Sequence, residues 1–133
     1  MFFNKNGNSQ NRIDSLVGAG TVLAGDVVFS GGLRVDGEIR GNVRGGDGQT
    51  STLVVSEHAR IEGEIDVAHL VVNGTVIGPV RSKDFLELQS KARVTGDVEY
   101  NTLEMQLGAV VQGRLVHQGA PAKTVELKLA SSS

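Results

Sequence analysis

The 133-residue chain has no cysteine and no tryptophan, a single tyrosine and four phenylalanines, two of them at positions 2 and 3. Without thiols, neither a disulfide framework nor a thiolate metal site can form, and the chain reads as intracellular. Long apolar runs are missing too. Residues Met1 to Asn11 lack the stretch of about 7–15 apolar residues that makes a signal peptide, and nothing behind them is long enough to span a membrane, so export is not expected. Charge of neither sign dominates: 13 basic and 15 acidic residues nearly balance. They are interspersed, as in Arg60, Glu62, Glu64 and Asp66, which leaves no basic face for nucleic acid. There is no P-loop for a nucleotide, and no window of about a dozen residues carries helical periodicity.

What the chain does have is glycine, 18 residues of it, roughly twice the usual ~7% share and a sign of many tight turns. It also says nearly the same thing twice, LRVDGEIRGNV from Leu33 to Val43 and LVVNGTVIGPV from Leu70 to Val80. Alternate residues of the first stretch are Leu33, Val35, Gly37, Ile39, Gly41 and Val43, while those between are Arg34, Asp36, Glu38, Arg40 and Asn42. That period of two is the mark of extended strands with one face inward. Glycine takes the inward parity in both copies, at Gly37 and Gly41 and again at Gly74 and Gly78. It therefore marks corners where the backbone bends and leaves no room for a Cβ.

A shorter phrase recurs as VLAGDV, RIEGEI, RVTGDV and VVQGRL. The marker glycines Gly25, Gly41, Gly63, Gly78, Gly96 and Gly113 are 16, 22, 15, 18 and 17 residues apart. A unit of about 17 residues with three short strands is too short for the helical crossover that parallel strands ordinarily need. A solenoid escapes this, because each winding returns to lie above its own start; six windings at about 4.8 Å each stand roughly 29 Å tall. The expected fold is all-β, a parallel β-helix over residues 21–116, between a disordered tail of residues 1–20 and a mostly disordered C-terminal tail of residues 117–133.

Candidate chemistry is sparse. His58, His69 and His117 are the only imidazoles, and a metal gathered between subunits would need acids placed to orient them; none stands at a defined spacing. GGDGQTS from Gly45 to Ser51 opens like a calcium-binding nonapeptide, but Thr50 stands where the liganding Asp belongs, and the motif occurs once where tandem copies are required. It reads as a protruding loop that accounts for the 22-residue interval. Hexapeptide-repeat acyltransferases share the solenoid architecture but need an aliphatic residue every six positions, a period these intervals do not keep. Sugar-cleaving β-helices would need more aromatic rings. At the N-terminus, Met1, Phe2 and Phe3 followed by Lys5 suggest a weak membrane anchor, apolar side chains entering the interface and a cation meeting anionic headgroups at roughly 1 kcal/mol each.

The repeated G-x-[IV] phrase from about Thr21 to Val116, with FSGGLRVDGEIRGNV, ARIEGEI and the MFFNK start, resembles the bactofilin family. The resemblance implies a right-handed, three-sided β-helix that polymerises end to end into non-polar filaments without nucleotide or other cofactor. It implies no enzymatic activity. It also implies a cytoskeletal scaffold at the inner face of the cytoplasmic membrane for cell-shape and cell-wall proteins, with Met1, Phe2, Phe3 and Lys5 as the membrane-targeting segment. The alternative is a β-helical enzyme of the hexapeptide-transferase type or a discrete binding module.

Independently of resemblance, a solenoid exposes unpaired backbone and core side chains at both ends unless something caps them. The last repeat, AVVQGRL, is as apolar as a middle one. The expected assembly residues are Val22, Leu23, Val27 and Phe29 at the N-terminal end and Leu103, Met105, Val111 and Leu115 at the C-terminal end. VELKL, Val125 to Leu129, alternates well enough to form one more strand over the C-terminal end.

Overall fold

A strand cannot close backbone hydrogen bonds within itself, so the strands of three to nine residues in this chain need partners from elsewhere in the sequence. The computed structural model describes residues 13–46 and 50–118. Among these residues the ordered elements are all strands, and every pairing is parallel. The first winding comprises β1 (Ser15–Val17), β2 (Val22–Ala24) and β3 (Val27–Phe29), and the second β4 (Gly31–Val35), β5 (Glu38–Arg40) and β6 (Val43–Gly45). The third runs through β7 (Ser51–Val55) and β8 (Arg60–Glu62) into β9 (Ile65–Val72), which turns an edge and begins the fourth. The fourth continues through β10 (Thr75–Ile77) into β11 (Val80–Leu88), which turns the same edge. β12 (Arg93–Thr95) and β13 (Val98–Tyr100) complete the fifth winding, and β14 (Leu103–Met105), β15 (Val110–Gln112) and β16 (Leu115–His117) form the sixth.

Three flat faces result. Face one stacks β1, β4, β7, the end of β9, the end of β11 and β14. Face two stacks β2, β5, β8, β10, β12 and β15, and face three stacks β3, β6, the start of β9, the start of β11, β13 and β16. Partners on face two run Val22, Glu38, Arg60, Thr75, Arg93 and Val110. A marker glycine follows each by three residues. The glycine intervals therefore are the winding lengths.

The inward residues of the middle windings fill the prism: Leu53, Ile61 and Ile65 in one layer and Leu70, Val76 and Val80 in the next are between 0% and 3% exposed. Two inward-pointing hydroxyls are paired, as burial demands. Ser51 Oγ accepts from the Ala68 N–H at 3.0 Å, and Ser82 Oγ lies 2.7 Å from the Phe85 carbonyl, where the register of β11 shifts.

Close stacking is sharpest at the corner between faces two and three. A Cβ built on Gly41 would strike the carbonyl of Gly25, and likewise Gly63 on Gly41, Gly78 on Gly63, Gly96 on Gly78 and Gly113 on Gly96. The residue after the glycine then ties the windings together. Asp26 Oδ1 accepts from the Asn42 N–H and Asn42 Oδ1 from the Glu64 N–H, both at 2.9 Å, and Asp97 Oδ1 accepts from the Arg114 N–H at 3.1 Å. At the corner between faces one and two, windings two and four turn in the short sequences Asp36–Gly37 and Asn73–Gly74. Each tucks into a longer corner below: a Cβ on Gly37 would meet the carbonyls of Gly18 and Thr21, and one on Gly74 those of Ser56 and Ala59. That nesting is why the long phrase appears twice, in windings two and four.

The solenoid begins earlier than the expected boundary at residue 21. Ser15–Val17 pairs with Leu33–Val35, and Val17 is 8% exposed. Three residues carry too little alternation to announce a strand. At the other end β16 continues to His117. Residues 47–49 of the GGDGQTS segment, the N-terminal segment and VELKL lie outside the described residues; Gly45 ends β6 and Ser51 begins β7.

Gly25 and Gly96 test the ladder, because they share φ near +135° (+135° and +136°), yet Gly25 has open space at its Cβ while Gly96 faces the Gly78 carbonyl at 2.5 Å. Gly25→Ala should cost about 1–2 kcal/mol, for conformation alone. Gly96→Ala should cost at least about 2 kcal/mol more. Denaturant unfolding followed by circular dichroism reads the difference; equal costs would mean that the winding below does not enforce glycine.

Candidate functional site

The prism is filled throughout its length, and its two ends are cross-sections of the same core. At the N-terminal end Leu23, Val27 and Phe29 point inward, pack against the core and are only partly buried. Their stacked equivalents one winding up, Ile39 and Val43, are 0% exposed. Val22 sits on the outward parity of face two and is 54% exposed. It is joined on this winding by Ile13, Leu16 and Val28, at 42%, 60% and 61%.

At the C-terminal end Leu103, Val111 and Leu115 are likewise inward and partly buried. Met105 is 37% exposed, although its partner one winding below, Leu88, is 1% exposed. Among the described residues no winding lies above Met105, which is why it is exposed where Leu88 is not. Leu107, at the tip of the corner between β14 and β15, is 95% exposed, with Val110 and Val116 at 39% and 40%. Sequence reading missed Leu16, Val28, Leu107, Val110 and Val116 as members of these ends. The signal exists but needs the register: on face three the outward residues of windings two to five are Arg44, Asp66, Arg81 and Glu99, and only the two end windings place valine there, Val28 and Val116.

The backbone at the ends has the same character. Gly25, Gly41, Gly63, Gly78 and Gly96 each donate their N–H to a carbonyl of the following winding at 2.9–3.0 Å. Val98 does the same to the Arg114 carbonyl at 2.8 Å. Their counterparts in the sixth winding, Gly113 and Leu115, have no seventh winding above them among the described residues. That last winding is nonetheless held in place. Arg114, through its N–H and then its guanidinium, keeps the Asp97 carboxyl below the usual carboxylate range. The tie is intact at neutral pH and is lost only as the pH falls through that lowered value.

The imidazoles are scattered. His58 lies in the corner between β7 and β8, His69 Nε2 is 3.8 Å from an Asp84 carboxylate oxygen, and His117 Nε2 is 2.9 Å from the Asn101 carbonyl with its ring 5.5 Å from Tyr100. Among the described residues no group of three or more His, Cys, Asp or Glu is placed to hold a metal ion. No helix among them is long and apolar enough to cross a membrane. Met1, Phe2, Phe3 and Lys5 lie outside the described residues.

Comparison with known proteins agrees with this architecture. The family model for bactofilins, described as polymer-forming cytoskeletal, matches residues 15–116. The chain is 28% identical over 97 residues to bactofilin BacP of Myxococcus xanthus (strain DK1622), a match covering 71% of this chain and 40% of BacP. It is 27% identical over 99 residues to bactofilin BacO of the same organism, covering 73% of this chain and 79% of BacO. The matched region thus spans less than half the length of BacP. No solved structure gives a significant match. The match of this family model over residues 15–116, which are the six parallel windings, establishes that the chain belongs to the bactofilin family, a family of polymer-forming cytoskeletal proteins.

Proposed function

We propose that this chain is a structural protein rather than an enzyme, and that its subunits stack end to end into filaments that need neither nucleotide nor metal. The observation that carries the reading is the pair of cut cores: Leu23, Val27 and Phe29 at one end, Leu103, Val111 and Leu115 at the other, each half-covered where the equivalent middle residues are sealed. Completing the burial of each is worth on the order of 1 kcal/mol. The free ladder edges supply the direction in which a neighbour pairs.

Leu115→Arg separates an assembly surface from a folding core. In a free subunit the guanidinium reaches solvent from the partly covered last winding; once a neighbour stacks there it is buried unpaired, at a cost of several kcal/mol. The expected product is folded, with a wild-type circular dichroism spectrum, and sediments as short oligomers. Val72→Arg, at a position that is 0% exposed, should not fold at all. Long filaments from folded Leu115→Arg protein, in electron microscopy without nucleotide and in chelator, would show that this end is not an assembly surface.

We further propose that the filaments lie on the inner face of the cytoplasmic membrane through Met1, Phe2, Phe3 and Lys5, as a scaffold for cell-shape and cell-wall proteins. One such segment binds poorly; many on one polymer bind well, because every contact after the first is intramolecular. Removing Met1 to Lys5 should abolish co-sedimentation with anionic liposomes and leave filaments unchanged. Undiminished liposome binding would remove the basis for the anchor.

A further inference from the structure

Two acids are stacked at the C-terminal end of face one. Glu87 and Glu104 are register partners on its outward side, so two carboxylate side chains leave the face one strand spacing apart, where like charges repel. Elsewhere a cation intervenes: Glu38 lies under Arg60 on face two, and Arg81 sits between Asp66 at 3.9 Å and Glu99 at 3.2 Å on face three. Glu87 meets only the side-chain amides of Gln89 and Gln106, and neither Glu87 nor Glu104 has an ion-pair partner among the described residues. The inward residues flanking Glu104 are uncovered too. Leu103 is partly buried and Met105 is 37% exposed, whereas Leu86 and Leu88 below them are at 0% and 1%. This edge therefore fits a strand that sets apolar side chains over Leu103 and Met105 and a cation between them.

The chain's own continuation has that order. It leaves the described residues at Gln118, whose N–H donates to the Tyr100 carbonyl at 2.7 Å, just past β16 on face three, so the corner to face one comes next. Leu127, Lys128 and Leu129 then match Leu103, Glu104 and Met105 position by position. The spacing has a precedent at the same corner. Residues 46–50 connect β6 to β7 and lead into TSTLVV, Thr50 to Val55; residues 118–124 lead into TVELKL, Thr124 to Leu129, with leucine three residues after threonine in both. We infer that VELKL docks on the C-terminal edge of face one of its own subunit as a seventh parallel strand, Leu127 over Leu103, Lys128 over Glu104 and Leu129 over Met105. Lys128 supplies the cation that the two acids lack, and the free backbone groups of β14 gain a partner. The other register that keeps the leucines inward, shifted by two residues, sets Glu126 on Glu104 and adds a third acid to the stack. Tethering at this end favours the subunit's own strand over one from a second copy. The cap is one face wide and leaves Val111 and Leu115, on faces two and three, uncovered. A neighbour stacking on this end must displace it, which makes VELKL an autoinhibitory strand. Its docking is independent of filament formation; its effect on growth rests on the end-to-end stacking proposed above.

Because the chain has no cysteine, cross-linking of the full-length protein tests the docking directly. Glu104→Cys with Lys128→Cys, oxidised at low protein concentration, should close a disulfide within one subunit, since register partners lie about 4.8 Å apart, within the span of a disulfide. Val71→Cys with Lys128→Cys, three windings and so about 14 Å apart, should not. Cross-linked monomer from the first pair alone supports the cap. No disulfide, or equal yields from both pairs, overturns it, and disulfide-linked dimers assign the edge to a strand from a second copy instead. Growth is read separately, by sedimentation and electron microscopy. An end that is capped most of the time binds with its affinity reduced by the open fraction, so Leu127→Asp and Lys128→Glu should each lower the concentration at which filaments appear by about tenfold. Glu104→Lys should do the same, and combining it with Lys128→Glu should return the threshold to the wild-type value. Oxidised Glu104→Cys/Lys128→Cys protein should stop at short oligomers and resume growth on reduction. Circular dichroism establishes that the variants fold; Glu104 is exposed and the other two positions lie outside the six windings. An unchanged threshold in Leu127→Asp protein would overturn the autoinhibitory role. If neither wild type nor variants form filaments, the end-stacking reading fails, and the cross-link still decides whether the strand docks.

Discussion

No winding of this chain can satisfy its own backbone. Each is three short strands joined by corners, and the N–H and C=O groups of those strands find their partners in the windings above and below. Everything else follows from that dependence. The windings must keep register, so the corners must let them approach, and glycine recurs where a Cβ would strike the carbonyl beneath it. Asp26, Asn42 and Asp97 follow those glycines because a side-chain oxygen there can reach the next winding's N–H. Since the demand for a neighbour is the same in every layer, among the described residues it is unmet in the first and the last.

The sides obey a different rule. Outward residues need only water, and faces two and three use that freedom to place opposite charges in contact within the subunit. Exposed pairs of this kind contribute little to stability, about 0–1 kcal/mol each. Their effect is to leave those two faces without a net sign to offer a neighbour. Arg81, whose guanidinium is held further above its ordinary range by Glu99 and then Asp66, is firmly committed inside its own face. On face one Arg34 likewise pairs with Asp36 at 3.1 Å, and valine occupies the middle of the face, Val54 stacked on Val71.

The parts of this structure that were legible in the sequence are those that repeat. Glycine stands three residues beyond each face-two partner, so its spacing reported the winding lengths directly, including the long step between Glu38 and Arg60. Period-two alternation separated Leu53, Ile61 and Leu70 from their outward neighbours because each strand is sealed on one side only. What stayed hidden depends on pairings that one strand does not disclose. Ser15–Val17 is a strand because Leu33–Val35 lies above it, not because SLV is distinctive. The turn inside VRSKDFLEL, where β11 passes from face three to face one, rests on a register shift and a serine hydroxyl that alternation does not register. For the ends, inward residues such as Leu23 and Leu115 could be named from parity, whereas Val28 and Val116 became visible only when the intervening layers proved to be charged.

The short steps between partners bear on how the chain acquires this shape. Every strand pairing joins segments about one winding apart in sequence, such as Leu70 with Leu86 and Leu86 with Leu103. An all-β protein ordinarily folds slowly because its contacts close long loops; here each loop is short and each completed layer is the template for the next. Folding can nucleate in the middle, where Leu53 to Leu88 bury most completely, and travel outward in both directions. Among the described residues it ends at the sixth winding, whose upper edge is the same kind of template as those below it. In the proposed filament an incoming subunit meets the surface that a nascent winding would have met, and growth is the continuation of the folding reaction with a second molecule as its substrate.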